Sequence, residues 1–338
     1  NSCVRSFSNW DIYYLNEYAM SLWLHGDGEP LLIYFEDKSV RLCYSLMLLD
    51  IADSAQFRGT LEKGIYFDLE TPYGYGGPLV EGEFSDISAR SFRDLLTEFC
   101  KERNIVSQFI RFHPLMGNHI LFNSISETRY IKDTVYIDTS SEQAIIANMD
   151  NKCRNMIRKA EKSGVYIVDA SISEYKPFLN MYKETMYRHS ADDYYTFSEE
   201  YFDYLREHLA TNIIILYAFF HSQPISGALF LFNERFMHYH LAGSDQNYRN
   251  LAPSNLILYE ASRWACARGI GKLHLGGGLS GGDSLFAFKK QFNKYGRLPF
   301  YVGRTVFNRA GYDYLLKLRK RSDPVFDMDN PFMIQYRR

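Results

Sequence analysis

Apolar residues at 12, 15, 19, 22 and 23 recur at helical spacing and predict a helix over 11–24. Apolar runs at 31–36 and 40–49, joined by the turn Asp37-Lys38-Ser39, predict two strands, and 65–69 a third. Phe92, Leu95, Leu96 and Phe99 share one face of a helix expected over 85–104, and 105–112 reads as the strand after it. A strand at 135–137 leads into one long helix, 141–164, opened by Ser141 and Glu142 and stopped by Gly164. Ile145, Met149, Met156, Ile157 and Ala160 form its apolar face. Strand 165–169 and helix 173–189 follow, and Thr196 with Glu199 has capping-box spacing for a helix over 199–210.

The clearest β pattern is 213–220, 225–232 and 236–242, three runs separated by short polar turns, which predict an antiparallel meander. Pro253 suits the first turn of the next helix, which Gly269 caps. A strand at 272–275 then runs into glycines 276, 277, 278, 281 and 282. Asp283 and Ser284 open a short helix carrying Phe286, Phe288, Lys289, Lys290 and Phe292. A strand over 300–307, a helix over 309–319 and an irregular tail from 321 complete the chain. The elements alternate as in an α/β protein with mostly sequential strands. The glycine-rich stretch joins strand to helix, a place where backbone approaches a ligand closely.

Composition narrows the reading. The 338 residues suggest about two domains, and 46% hydrophobic with 23% charged residues describes a globular protein with a full-sized core. A net charge of −2 gives no field that would draw nucleic acid to the whole protein, so any basic surface is local. Lys152, Arg154, Arg158, Lys159 and Lys162 supply one such patch on helix 141–164, read either as a solvated face or as a contact for ligand or RNA phosphates. Five scattered cysteines without a CxxC argue against a disulfide framework or a zinc site, and for a reducing, cytoplasmic compartment. No apolar run approaches the roughly 20 residues of a membrane helix. The start, Asn1-Ser2-Cys3, lacks the pattern of a signal peptide and an initiator Met, so the native start is expected upstream. The segment 72–78, Pro-Tyr-Gly-Tyr-Gly-Gly-Pro, excludes helix and central strand, leaving Tyr73 and Tyr75 either to stack on a ligand or to pack a rigid turn.

Several of these features share one order. Helix 141–164 with its Arg154 and its 158–164 ending, residues 239–243, Tyr248-Arg249, the helix from Pro253, glycines 276–278 and Phe288-Lys289 follow each other as in the Fem-type (FemAB-like) non-ribosomal peptidyltransferases, of the GNAT acyltransferase superfamily. The 72–78 segment is similar to one common in Fem-like proteins, and the resemblance spans most of 65–300. It implies two GNAT-like domains, each a mixed, mostly antiparallel sheet flanked by helices: 1–130 with 306–338, and 131–305. The helical hairpin that some members insert, thought to engage tRNA, has no counterpart here.

The resemblance also implies a reaction. An amine attacks an activated acyl carbon, and a lysine after phenylalanine stabilises the oxyanion. That places the catalytic role on Phe288-Lys289, with Lys289 in the first turns of its helix, where the dipole adds to its ammonium. Arg188, Tyr194, Tyr195, Tyr239, Tyr73 and Tyr75 are the residues expected to hold the acceptor, a nucleotide-linked muropeptide or another amine. Arg154, Arg158, Arg249 and Ser254 are expected at the donor, aminoacyl-tRNA or acyl-CoA, with charged tRNA reached through the basic helix and no tightly bound cofactor or metal. The ordinary GNAT phosphate turn, [QR]-x-x-G-x-[GA], corresponds to 249–254, where both glycines are replaced and Pro253 removes a donor, which weakens CoA binding. Asp245, Asp283, His240 and His274 are candidate bases, Asp283 more as a cap. His238 and His240 share a strand face and read as structural. A third alternative is a non-catalytic Fem-like scaffold, in which Lys289 is packed and no cleft opens.

Overall fold

The computed structural model describes residues 1–338. They form two compact units, 1–131 with 300–338, and 132–299. In chain order the first unit holds α1 (Ser2–Arg5), α2 (Asn16–His25), β1 (Glu29–Glu36), β2 (Val40–Asp50), β3 (Phe67–Glu70), β4 (Leu79–Gly82), α3 (Asp86–Glu102), β5 (Ile105–Arg111) and α4 (His119–Phe122). The chain passes into the second unit within β6 (Glu127–Asp138). There follow α5 (Glu142–Asn148), α6 (Asn151–Lys162), β7 (Tyr166–Ala170), α7 (Tyr175–Arg188), α8 (Glu199–His208), β8 (Ile213–Phe220), β9 (Gln223–Phe232), β10 (Phe236–Ser244), α9 (Pro253–Ala267), β11 (Lys272–Gly276) and α10 (Ser284–Lys290). The chain returns within β12 (Arg297–Val306) and ends with α11 (Arg309–Ser322) and a tail. No helix is long and apolar enough to cross a membrane.

The first unit orders its strands β1-β2-β3-β5-β12, with β4 also on β2; only β3 and β5 run parallel. Tyr312, Leu315, Phe326, Ile334 and Tyr336 bring α11 and the tail onto Val106 in one apolar cluster. The tail is irregular as expected, yet it is pinned. Asp68, 1% exposed, accepts from the Tyr336 hydroxyl at 2.6 Å and from Arg337 Nε at 2.9 Å, and Arg337 also donates to Glu70 at 2.6 Å. Burial pushes the Glu70 carboxyl up, but Arg111 and Arg337 outweigh it and hold the group below the usual range.

The second unit orders its strands β6-β11-β10-β9-β8-β7, antiparallel except for β10 against β11. The meander forms as its pattern predicts. α5, α6 and α9 cover one face around Ile145, Ile157, Leu256 and Ala261. α7 meets β10 backbone to backbone: a Cβ on Gly243 would sit 2.5 Å from the Tyr182 nitrogen. Only glycine permits that approach.

Local differences from the sequence reading have identifiable causes. The helix expected over 141–164 is two, because Met149 is extended (ψ 139°) and Asp150 gives its N–H to the Gln291 carbonyl at 2.8 Å. Arg154 holds that break, donating to the Ile146 and Met149 carbonyls at 2.9 and 2.7 Å. Residues 12–14 form a separate 3-10 turn ahead of α2, with Asp11 as its cap. Ser198, rather than Thr196, caps α8. Leu95 is 54% exposed, on the outer side of α3. β4 was hidden by its shortness directly behind the proline–glycine segment.

Candidate active site

β10 and β11 pair in parallel over only three positions, 236–238 with 272–274. β10 then bulges at His240, between Tyr239 and Leu241, and β11 ends at Gly276, which has φ 71°. A bulge twists its strand away from its neighbour. The glycine-rich segment and α10 follow directly beyond the end of β11.

Asp283 organises that segment. Its carboxylate accepts from Leu279 and Ser280 at 2.6 and 2.8 Å and from Phe286, in the first turn of α10, at 2.8 Å. These N–H donors hold the carboxyl below its usual range. It is the cap the sequence suggests. A Cβ on Gly278 would lie 2.0 Å from Asp283 Oδ1, so the turn requires glycine there. Phe292, fully buried, anchors the far end of α10; burying such a ring contributes about 1.5–3 kcal/mol. The Asp150 bond to Gln291 and a Lys294 N–H bond to the Asn148 carbonyl at 3.0 Å tie this end to the α5–α6 break.

This frame holds Lys289 inside the domain at 8% exposure. Its Nζ donates to the Gly277 carbonyl at 2.7 Å and lies 5.7 Å from the centre of the Tyr239 ring. Burial, then the nearby Lys132 ammonium, lower its pKa from 10.5 to about 8, with Asp283 opposing them. Lys290 is only half-buried, which separates the two neighbours. α10 is shorter than expected, so Lys289 sits in its last turn rather than its first. There the dipole favours the ammonium charge instead of adding to its field. Phe288 packs edge-on against Phe292 at 5.5 Å.

Lys132, at the start of the second unit, was not singled out by the sequence. Its Nζ donates to the Gly278 carbonyl and, at 3.3 Å, to that of Leu279. Burial lowers its pKa, and Asp283 opposes the shift. Nothing in the local sequence marks it, because its position depends on the pairing of β6 with β11.

The other expected residues are distributed. Tyr239 joins Lys289, and burial raises its hydroxyl pKa. Arg188 is exposed at the end of α7 and donates to the Ser244 carbonyl at 3.1 Å. Tyr194 and Tyr195 pack edge-on at 5.4 Å in the turn after α7. Tyr73 and Tyr75 belong to the first unit. The Tyr73 carbonyl accepts from Tyr18, and Tyr75 stacks edge-on with Tyr13, His113 and Phe300, so that segment packs as an aromatic turn. Arg154 is spent on the α5–α6 break, whereas Arg158 is exposed on α6. Arg249 is exposed and Ser254 half-buried at the start of α9. Ala252 there holds φ 55°, ψ 43°, the left-handed conformation that a glycine of the phosphate turn would adopt.

The candidate bases are all engaged. Asp245 caps a 3-10 turn through the Asn247 N–H at 2.9 Å. The His274 Nε2 lies 2.9 Å from Thr134 Oγ1. His240 meets the Tyr201 hydroxyl at 3.2 Å, and burial, then His238, push it down to about 3. The His238 and His274 rings pack edge-on at 5.7 Å.

Residues 147–290 match the family described as Acetyltransferase (GNAT) domain. The matched segment lies within the second unit, 132–299. Known structures extend the GNAT likeness over nearly the whole chain. FemX shares 14% identity with a TM-score of 0.68, covering 93% of this chain and 96% of FemX. A C-terminal domain of a putative lysylphosphatidylglycerol synthetase from Agrobacterium fabrum shares 12% at 0.54, covering 91% and 90%. L-PGS from Bacillus licheniformis shares 13% at 0.53, covering 89% and 91%. The chain thus has the Fem-type GNAT fold expected from its motif order, and its residues 147–290 resemble an acetyltransferase domain. No curated protein matches it.

Proposed function

We propose that this chain transfers an aminoacyl group to an amine of a peptidoglycan precursor, with Lys289 facing the oxyanion of the tetrahedral intermediate. The observation that carries the reading is the Lys289 ammonium meeting a loop carbonyl and an aromatic ring at the end of β11. Its burial is also what the scaffold alternative expects, so the reading requires the 277–282 loop, exposed at its tip, to open. As the amine attacks, the acyl oxygen gains negative charge. The Lys289 ammonium leaves Gly277 for that oxygen, and burial strengthens the attraction because little water screens it. The amide forms, the ester bond to the tRNA ribose breaks, and the amine's proton passes to the departing ribose oxygen. With Asp245, Asp283, His240 and His274 otherwise engaged, this transfer is substrate-assisted. The 277–282 loop yields to admit substrate; Leu279 at its tip is 88% exposed. Arg188, Tyr194 and Tyr195 hold a nucleotide-linked muropeptide, Arg158 with the exposed lysines of α6 meets tRNA phosphates, and the reaction is cytoplasmic.

Acyl-CoA as donor is the second reading. The left-handed Ala252 favours it, since the turn keeps the shape of a phosphate-binding glycine turn without the glycine. Incubation with charged tRNA plus nucleotide-linked muropeptide, and separately with acetyl-CoA plus amine acceptors, separates the two. Product in the first mixture, abolished in Lys289→Ala of unchanged melting temperature, is the expected result. No product in either mixture, with no shift in melting temperature from any ligand, would sink both readings.

A further inference from the structure

We propose that Lys132 and Lys289 form a two-cation site for one anionic group of the substrate, a phosphate or a carboxylate, whose place is held by the carbonyls of residues 277–279. The two ammonium groups bind successive carbonyls, Lys289 that of Gly277 and Lys132 that of Gly278. The Lys132 stem runs along the same backbone: a Cβ on Gly277 would meet its Cε and Cδ at 3.4 and 3.6 Å, and the Asp133 carbonyl at 2.9 Å. Glycine at 277 therefore lets the loop backbone approach the Asp133 carbonyl, alongside the Lys132 stem.

The charges around them do not balance. β6 contributes Lys132 and Asp133, but Asp133 is paired with Arg297 at the start of β12. α10 contributes Lys289, and β10 offers only the Tyr239 ring. The one remaining carboxylate, Asp283, already accepts three backbone N–H groups. Two ammonium groups are thus held in partly desolvated positions by neutral carbonyls. Neutral dipoles compensate buried charge less well than a counter-ion does. Burial lowers both lysine pKa values and the Lys132 ammonium lowers that of Lys289 further, in keeping with that deficit. An anion placed between them would reverse it, and would free the 277–279 carbonyls so that the loop can open. That this anion belongs to a transferase substrate rests on the acyl-transfer reading; the binding site itself does not.

The test follows Lys289 directly. Its acetylation by N-succinimidyl acetate is measured by mass spectrometry as a function of pH, with exposed Lys159 as internal reference. Wild type, Lys132→Met and Lys132→Arg are compared with no added anion, with orthophosphate, and with acetate, at constant ionic strength and after checking the melting temperature of each. In wild type the labelling midpoint near pH 8 is expected to move upward, and labelling to slow several-fold, with at least one anion. Orthophosphate acting alone identifies a phosphoryl group, and acetate acting alone or with it a carboxylate. Lys132→Met is expected to raise the midpoint without anion and to lose the response; Lys132→Arg keeps it. No response to either anion in wild type, or an undiminished response in Lys132→Met, overturns the proposal. Transfer assays on the same samples keep the two readings apart. An anion response without transfer leaves the site and removes the transferase reading, whereas transfer without an anion response does the reverse.

Discussion

Lys289→Met should separate what the buried lysine costs the fold from what it does for the reaction. Each pKa unit is worth about 1.4 kcal/mol between protonation states, so a fall from 10.5 to about 8 makes the charged form about 3.4 kcal/mol harder to hold in the fold than in the unfolded chain. Methionine has a similar length and no charge. It removes that cost, and it also gives up the charge-assisted bond to Gly277, about 1.5–3 kcal/mol. At pH 7 the variant should therefore be as stable as wild type or more so, by up to about 2 kcal/mol.

The pH dependence is the sharper test. Between about 8 and 10.5 the unfolded chain keeps the Lys289 proton and the folded one has lost it. Stability attributable to this group therefore rises with pH across that window. Urea denaturation of both proteins from pH 7 to 10.5 should show wild type gaining on the variant by up to about 3 kcal/mol. Other titrating groups are common to both proteins and cancel in the comparison. Transfer activity should move the opposite way, falling in wild type as pH rises through about 8 and being absent in Lys289→Met at every pH. Parallel stability profiles for the two proteins would refute the reasoning, as would full activity in the variant.

Three further outcomes follow from the geometry. Arg337→Ala leaves Asp68 buried beneath the tail without its guanidinium, and should cost about 3–5 kcal/mol in urea unfolding, with Asp68→Asn recovering part of it in a double-mutant cycle. Gly278→Ala drives a methyl group into Asp283, so it should abolish transfer while lowering global stability by only about 1 kcal/mol, the worth of the cap on α10. Ala252→Gly relieves a left-handed alanine, which costs about 1–2 kcal/mol, against the entropy of glycine at about 0.5–1 kcal/mol; a net gain of up to about 1.5 kcal/mol should appear as a higher melting temperature.

How much of this was legible depended on range. The meander, Pro253 at its helix start and Asp283 as the cap of α10 follow from spacings of a few residues, which the sequence displays directly. The break at 149–150 was not legible, since it depends on the Gln291 carbonyl and on where Arg154 turns back. Arg154 and Arg158 look alike in the sequence; one is consumed by the fold and the other faces solvent. Tyr75 likewise shows its partners only when Tyr13 and Phe300 reach it from distant elements. Lys132 was missed for the same reason.

The glycine loop shows why motif chemistry needs this geometry. A phosphate-binding loop directs its N–H groups toward an anion. Here the N–H groups of Leu279 and Ser280 are taken by Asp283, and the carbonyls of Gly277, Gly278 and Leu279 face two ammonium groups. The polarity of the loop is the reverse of a phosphate cradle. Glycine is needed at 277 and 278 because the Asp133 carbonyl at Gly277 and the Asp283 carboxylate at Gly278 leave no room for a Cβ. Affinity for anions at this end of β11 therefore resides in the lysines, and the loop's part is to solvate them in part through its carbonyls until substrate arrives. A substitution that disturbs the loop backbone should accordingly change when Lys289 is available, whereas one at Lys132 should change how strongly an anion is held beside it.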